Sequence, residues 1–510
     1  MGNKIKEFCS HNIFNILFSC LMILSVYGIK LFNLVLSIDN EAAISVPESL
    51  YSAWLSMGRW GLVAIKRITG FDFYNPFLST FFFIFLIGLS VILWGMLFSK
   101  YIDNPNFKKF YWIFPVILFT SPIMAEQFGF LMQAFEVLFA FDLLAIAIYF
   151  IYKFFLEKRN YLYLVVNVVL VAFSFSVYQA LTTVYVTAMI CIFILILDLN
   201  KKKWHFKNSD LWKMILIFIV LFFVGYLINL LITQLLFNIF DIQATDYTDG
   251  QIQWGKASFL TCLKNVLFFI VSVIRGDTIF YSFSYLIVLI LVLFDLFQNI
   301  KMFKGQYVLY FLSRFALLIT PFLMGLILGA NPSKRVVLSL PFMLAFTLMY
   351  LLCHKNNDKK ALKVCYVLIS ILIGFSQIQT SARLYYTEFV TNKEQERIAA
   401  NISDQIYEIT GTYNPEEPVI FIGSLNLNRN NSCYQSGDLE LVGRSFFEVS
   451  FSPSHGTYLM QNYLKTIGIN YIYPTEEQIN VAITSQENMP VWPNTGCIQQ
   501  VGGVIVVKLS

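Results

Sequence analysis

The sequence predicts an all-α polytopic membrane protein of about eleven transmembrane helices, followed by a small α/β extracytoplasmic domain at the C-terminus. Three observations carry that prediction. Hydrophobic residues make up 57% of the 510 and charged residues 13%, with Phe alone occurring 52 times, a composition that belongs in a bilayer. Apolar windows long enough to span recur along the first three quarters of the chain, each about 20 residues because hydrocarbon tolerates no unpaired backbone. The composition then turns polar near residue 380, dividing residues 1–380, the bundle, from 381–510.

In chain order, spans are expected near 13–37, 76–99, 109–123, 131–155, 160–177, 180–198, 213–237, 279–299, 306–328, 336–353 and 362–379. The first lacks a small-residue cleavage site and reads as a retained helix. Lys4 and Lys6, Lys108 and Lys109, Lys158 and Arg159, Lys201 to Lys203, and Lys359 and Lys360 fall on one side. Cytoplasmic loops keep such cations, so the N-terminus is expected inside and the C-terminal domain outside. The net charge of +5 is largely this topology signal and gives no reason to expect nucleic acid as a partner.

Cations that break the pattern are more informative. Arg59, Lys66, Arg67, Lys256, Lys264, Arg275, Lys334 and Arg335 lie in segments placed outside, where they could hold a lipid phosphate or simply pair with headgroups and nearby carboxylates. The first outer loop, 38–75, opens on Asp39-Asn40-Glu41, two acids that membrane insertion does not require. From Glu48 to Arg67 it puts Leu50, Trp54, Met57, Gly61, Ile65 and Ile68 on one stripe, closed by Gly70, as in a helix lying in the membrane surface that presents Arg59 and Trp60. A connector that only seals the bundle would show the same pattern.

Glu126 follows Ser121-Pro122 on the same outer side, and Gln133, Glu136 and Asp142 follow along the next span. Ionisable groups at membrane depth face a cavity or a partner; for Asp142, which is deepest, an interhelical hydrogen bond is the simpler reading. The turn Ser176-Val177-Tyr178-Gln179 offers an aromatic face and an amide suited to a sugar, although Tyr is also common at interfaces. Asp246 to Gly250 resembles part of a calcium loop but lacks the remaining ligand spacing.

Beyond residue 380, helices are expected at 383–410, 457–467 and 475–483 and strands at 418–423, 470–473 and 503–508. Eight cysteines give no metal spacing; Cys433 and Cys497 are the two in the outer domain, where a disulfide is permitted. Of four histidines only His455 maps outside, which disfavours a histidine-bound metal or His-dependent acyl transfer there. No cofactor is called for, and a divalent-metal requirement stays open.

These residues carry a resemblance. Ser37 to Glu41 with Trp54 and Gly58-Arg59-Trp60-Gly61, Ser121-Pro122 with Glu126, Ser176 to Gln179, and the close from Met489-Pro490-Val491-Trp492-Pro493 to Leu509 resemble the phage- and prophage-borne serotype-converting O-antigen glucosyltransferases of the Gtr type. The resemblance implies a GT-C-like bundle in the bacterial inner membrane with a periplasmic C-terminal domain, taking glucose from undecaprenyl-phosphate glucose to a sugar of the lipid-linked O-antigen. It implies a catalytic acid in the first outer loop, where the match is Asp39-Asn40-Glu41 and does not settle which of the two acts. The mechanism read from the residues takes Asp39 as base, with Glu41 orienting an acceptor hydroxyl or exchanging roles and Glu126 as a second-rank acid. Arg335, with Arg59 or Lys334, would meet the leaving phosphate; Trp60, Tyr178, Gln179 and Glu136 would complete the substrate site. Another polyprenyl-phosphate-sugar transferase is the nearest alternative. An O-antigen polymerase or ligase would carry its chemistry in a late loop, and a transporter would show paired halves, which are not seen.

Overall fold

The computed structural model describes residues 2–510 apart from 34, 71–73, 103, 158, 200–205, 246–249, 277–282, 300–304, 355–359, 428–432 and 436–438. The calcium-like run at 246–249 lies outside the described residues. Seven described helices are long and apolar enough to cross a membrane: Asn3–Tyr27, Pro76–Ser99, Leu131–Glu157, Leu181–Leu199, Asn208–Phe240, Tyr307–Leu328 and Lys360–Thr410. Three shorter apolar helices, Leu162–Val177, Ser284–Asn299 and Ser339–Cys353, accompany them. The architecture is that of an all-helical membrane protein. Asn208–Phe240 turns Leu216, Phe223, Leu231 and Leu235 away from the bundle, an apolar surface that water would penalise and lipid would not.

The span expected at 109–123 is instead three short helices, Phe107–Phe110, Ile113–Phe119 and Pro122–Gly129. Pro122 is the reason for the last break, since proline begins a helix well but cannot continue one. All of Ile113–Phe119 is buried, so this segment is interior packing.

The outer-loop helix expected as one piece is two, Pro47–Ser56 and Trp60–Thr69. Gly58 separates them at φ 74°, and a Cβ there would come within 3.2 Å of Thr233. The second piece is held tightly: a Cβ on Gly61 would lie 2.1 Å from the Ser176 hydroxyl, so a glycine is required where this helix crosses the Ser176–Gln179 turn. The loop is therefore packed into the bundle. Ile68, on the apolar stripe, is 82% exposed, while the outer cation Lys66 is buried.

The change of composition near residue 380 does not interrupt the backbone. Lys360–Thr410 is one helix of 51 residues, so the spans expected separately at 362–379 and 383–410 are continuous. Beyond it stands a three-stranded sheet in the order β1 (Val419–Ile422), β3 (Val504–Lys508), β2 (Ile498–Val501). β1 runs parallel to β3 with Val419 opposite Ile505, and β2 is antiparallel with Ile498 opposite Val507. Pro453–Thr466 and Glu476–Ser485 pack on it, the latter opened by a Thr475/Gln478 capping box, which ties off two backbone donors at once.

The strand expected at 470–473 is not formed; the Ile472 carbonyl accepts from the Gln461 side chain instead of a ladder. β2 escaped sequence reading because it is four residues long and half polar. Cys433 and Cys497, expected as a disulfide, are not bonded to each other in the structure. Cys497 is buried just before β2, with its thiol toward Gln405 at 3.8 Å, while Cys433 is exposed.

Among the described residues three apolar cores result, one in the bundle and one on each face of the sheet. Leu36 and Ile38, which precede the first outer loop, belong to the second core, with Phe446, Phe447 and Tyr463. The chain thus crosses from the first core to the second immediately before Asp39.

Candidate active site

Asp39-Asn40-Glu41 is bent so that its three side chains have three different fates. Asp39 takes a left-handed conformation at φ 77°, which Asp tolerates better than most residues, and Asn40 N–H closes the turn on the Ser37 carbonyl at 3.0 Å. The Asn40 side chain accepts from Met132 N–H at 3.0 Å and so pins the short helix Asn40–Ser45 to the start of the helix at Leu131. Glu41 is buried, with Oε2 lacking a hydrogen-bond partner among the described residues. Asp39 alone is exposed.

Exposure does not mean that Asp39 stands in bulk water. Surrounding protein raises its carboxyl above the usual range, while Arg335, His455 and Arg59 pull it down, as expected for an acid partly removed from water with cations nearby. Burial, and then the charge of Asp39, push Glu41 well above the usual carboxylate range. The pair is split in the way that assigns acid and base roles: Asp39 ionises first, and Glu41 keeps its proton longer.

The cations come from separate elements. Arg59 precedes the helix Trp60–Thr69 and lies over the Tyr178 ring at 5.3 Å, which makes Tyr178 its buried platform. Arg335 sits over the Phe130 ring at 4.6 Å and is 3.4 Å from Glu440. Lys334 donates its backbone N–H to the Glu440 carboxylate, at 2.7 Å from Oε2. His455 enters from the sheet-bearing unit on the helix Pro453–Thr466, which packs along Asn40–Ser45; Ser45 Oγ donates to the Asn462 carbonyl at 2.9 Å.

Other expected site residues are occupied elsewhere. Glu126 is fully buried, and its Oε1 accepts the N–H groups of Leu441 at 2.7 Å and Val442 at 3.1 Å. It clamps this segment against the bundle, where Gly129 leaves room for Val442, and is a docking group more than an acid for chemistry. Glu136 is ion-paired to Lys66 at 2.8 Å, both buried, so it holds the outer loop rather than substrate. Trp60 donates to Asn229 at 3.0 Å and Gln179 to the Met57 carbonyl at 3.0 Å; both brace the loop beneath Arg59. Asp142 accepts from Ser90 at 2.6 Å, the interhelical bond anticipated for it. Arg67 pairs with Glu48 at 3.1 Å on the surface, where such a pair contributes little.

Burial raises the Glu126 carboxyl from 4.5 to about 8. A folded-state value above the unfolded one favours the fold at low pH, and that advantage is lost as pH rises from about 4.5 through about 8. Glu126→Gln keeps an oxygen for both N–H groups and cannot ionise. It is expected to retain activity and to flatten the fall in thermal stability across that range; a profile as steep as that of the parent would show that Glu126 is not the group responsible.

Sequence reading missed three participants. His455 had been noted only as the single outer histidine. The buried Lys30–Glu388 pair, 2.6 Å apart with Ser37 Oγ also donating to Glu388, fixes the residues just before Asp39, and its signal was Lys30 within the first apolar stretch. Glu440 carried no sequence signal. Among the described residues, no group of three His, Cys, Asp or Glu side chains is placed to hold a metal ion.

Residues 28–352 match the family model described as Glucosyl transferase GtrII. That stretch takes in Asp39, Glu41, Arg59, Glu126, Tyr178 and Arg335 and stops short of the sheet-bearing unit. No curated protein and no solved structure matches the chain.

Proposed function

The chain belongs to the glucosyl transferase GtrII family, and from that premise we propose that it moves glucose from undecaprenyl-phosphate glucose to a sugar of the lipid-linked O-antigen at the periplasmic face of the bacterial inner membrane. The observation that carries this reading is an exposed Asp39 lying in the electrostatic field of Arg335, His455 and Arg59. A carboxylate that can take a hydroxyl proton, beside guanidinium groups that can receive a departing phosphate, is what a single displacement needs.

In this scheme Asp39 takes the proton of an acceptor hydroxyl, and that oxygen attacks the anomeric carbon of glucose. The bond from that carbon to the phosphate oxygen breaks, and the phosphate leaves on its lipid against Arg335 and Arg59. One displacement inverts the anomeric centre, so a β-linked donor gives an α-glucoside. Glu41, buried one helical step away, orients the loop and donates a hydrogen bond when protonated. The positive-inside pattern supports a cytoplasmic N-terminus and a periplasmic sheet-bearing unit, with membrane lipid around the bundle.

The test is expression of the intact chain in cells making undecaprenyl-phosphate glucose, with mass analysis of O-antigen from a panel of serotypes. Glucose should appear on at least one O-antigen and only when the donor is made. No added hexose on any of them would overturn the reading.

A further inference from the structure

Resting on the glucosyltransfer reading, we propose that the aromatic row formed by Phe451, His455, Tyr458 and Tyr473 is the acceptor subsite, on which sugar rings of a saccharide chain stack as one hydroxyl is delivered to Asp39. The row lies outside residues 28–352, so membership of the family does not assign it.

Phe451, His455 and Tyr458 follow one another at spacings of four and three along the approach to and first turns of Pro453–Thr466, and such spacings place side chains on one face of a helix. The Phe451 and His455 rings are 5.0 Å apart, and Tyr458 stacks on Tyr473 at 5.9 Å. Phe451 is 83% exposed and Tyr458 38%; an uncovered Phe of that size gains nothing for the fold.

Two members of the row lie near the acids. The helix Pro453–Thr466 packs against Asn40–Ser45, with Ser45 Oγ bonded to the Asn462 carbonyl at 2.9 Å. His455 lies within electrostatic reach of Asp39, and Tyr473 within reach of Glu41.

The chemistry of this face selects its occupant. Besides His455, Lys465 is the one ionisable side chain among the charged residue types of Pro453–Thr466, and it lies over the Tyr473 ring at 4.1 Å. A face with little charge suits neither an anionic lipid surface nor a polyanion. Flat aromatic rings flanked by Ser452 and Ser454 hydroxyls suit the apolar faces and hydroxyl edges of pyranoses.

The test measures saccharide binding apart from catalysis. Full-length protein in detergent is titrated with O-polysaccharide released from lipopolysaccharides of several serotypes, and glucose transfer is assayed on the same preparations. Binding of one polysaccharide should weaken about tenfold in Phe451→Ala, as the loss of one aromatic contact allows. It should recover in Phe451→Tyr and persist in Asp39→Asn, whose glucose transfer should fall by about a hundredfold or more. Equal binding by Phe451→Ala and the parent, or no binding by the parent to any polysaccharide, overturns the subsite. Binding that depends on Phe451 in a parent that transfers no glucose would keep the subsite and overturn the glucosyltransfer reading.

Discussion

Asp39→Asn is expected to lower glucose transfer by about a hundred- to ten-thousandfold at matched membrane abundance, the range over which a positioned general base acts. The substitution keeps the size of the side chain and its capacity for hydrogen bonds, and Asp39 is exposed, so the fold should not register the change. Glu41→Gln should cost far less, because Glu41 holds its proton longer and an amide can still donate where a protonated acid did. A rate limited by ionised Asp39 should also fall on the acid side, as the carboxylate is lost through a value that burial has raised. Initial rates for both variants against pH decide the assignment. Activity surviving in Asp39→Asn but lost in Glu41→Gln would exchange the two roles.

The second large effect is structural. Lys66→Met should destabilise the protein by about 3–5 kcal/mol, the usual result of removing one partner from a buried ion pair. Lys66 and Glu136 are 3% and 2% exposed and 2.8 Å apart. The Trp54 and Tyr74 rings lie 5.5 and 5.9 Å from the ammonium, so the pair is enclosed largely by protein. Lys66→Met with Glu136→Gln should recover most of the loss, since no uncompensated charge remains. Thermal unfolding of the two variants in the same detergent checks this; a double variant as unstable as the single one would mean that Lys66 acts through packing of its stem.

What the sequence revealed depended on the range of the signal. Spanning helices announce themselves through twenty local residues, and Asp39, Glu41, Arg59 and Arg335 stood out because membrane insertion does not call for them. Periodicity also found β1 and β3, short runs of unbroken apolar residues. Pairings were beyond reach. Nothing local distinguishes Glu126, which clamps backbone of the sheet-bearing unit more than 300 residues later, from an acid left for chemistry; nor does anything near Glu136 announce Lys66. Gly58 was visible as a residue but not as a break, because neither its left-handed conformation nor the approach of the distant Thr233 is written in the residues around it. His455 was set aside for want of a second histidine, when what mattered was a carboxylate 416 positions earlier in the chain.

The unbroken helix Lys360–Thr410 acts as a ruler. At 1.5 Å per residue its 51 residues extend about 75 Å, far more than the hydrocarbon it has to cross, and Glu388 part-way along is bonded to Lys30 and Ser37. Each residue added or removed beyond Glu388 would turn everything after it by about 100° and shift it by about 1.5 Å. His455 would swing away from Asp39, and the sheet-side core would part from Leu36 and Ile38, which stay with the bundle. Side chains on the outer unit can be exchanged without touching that register, but this helix has to keep its length.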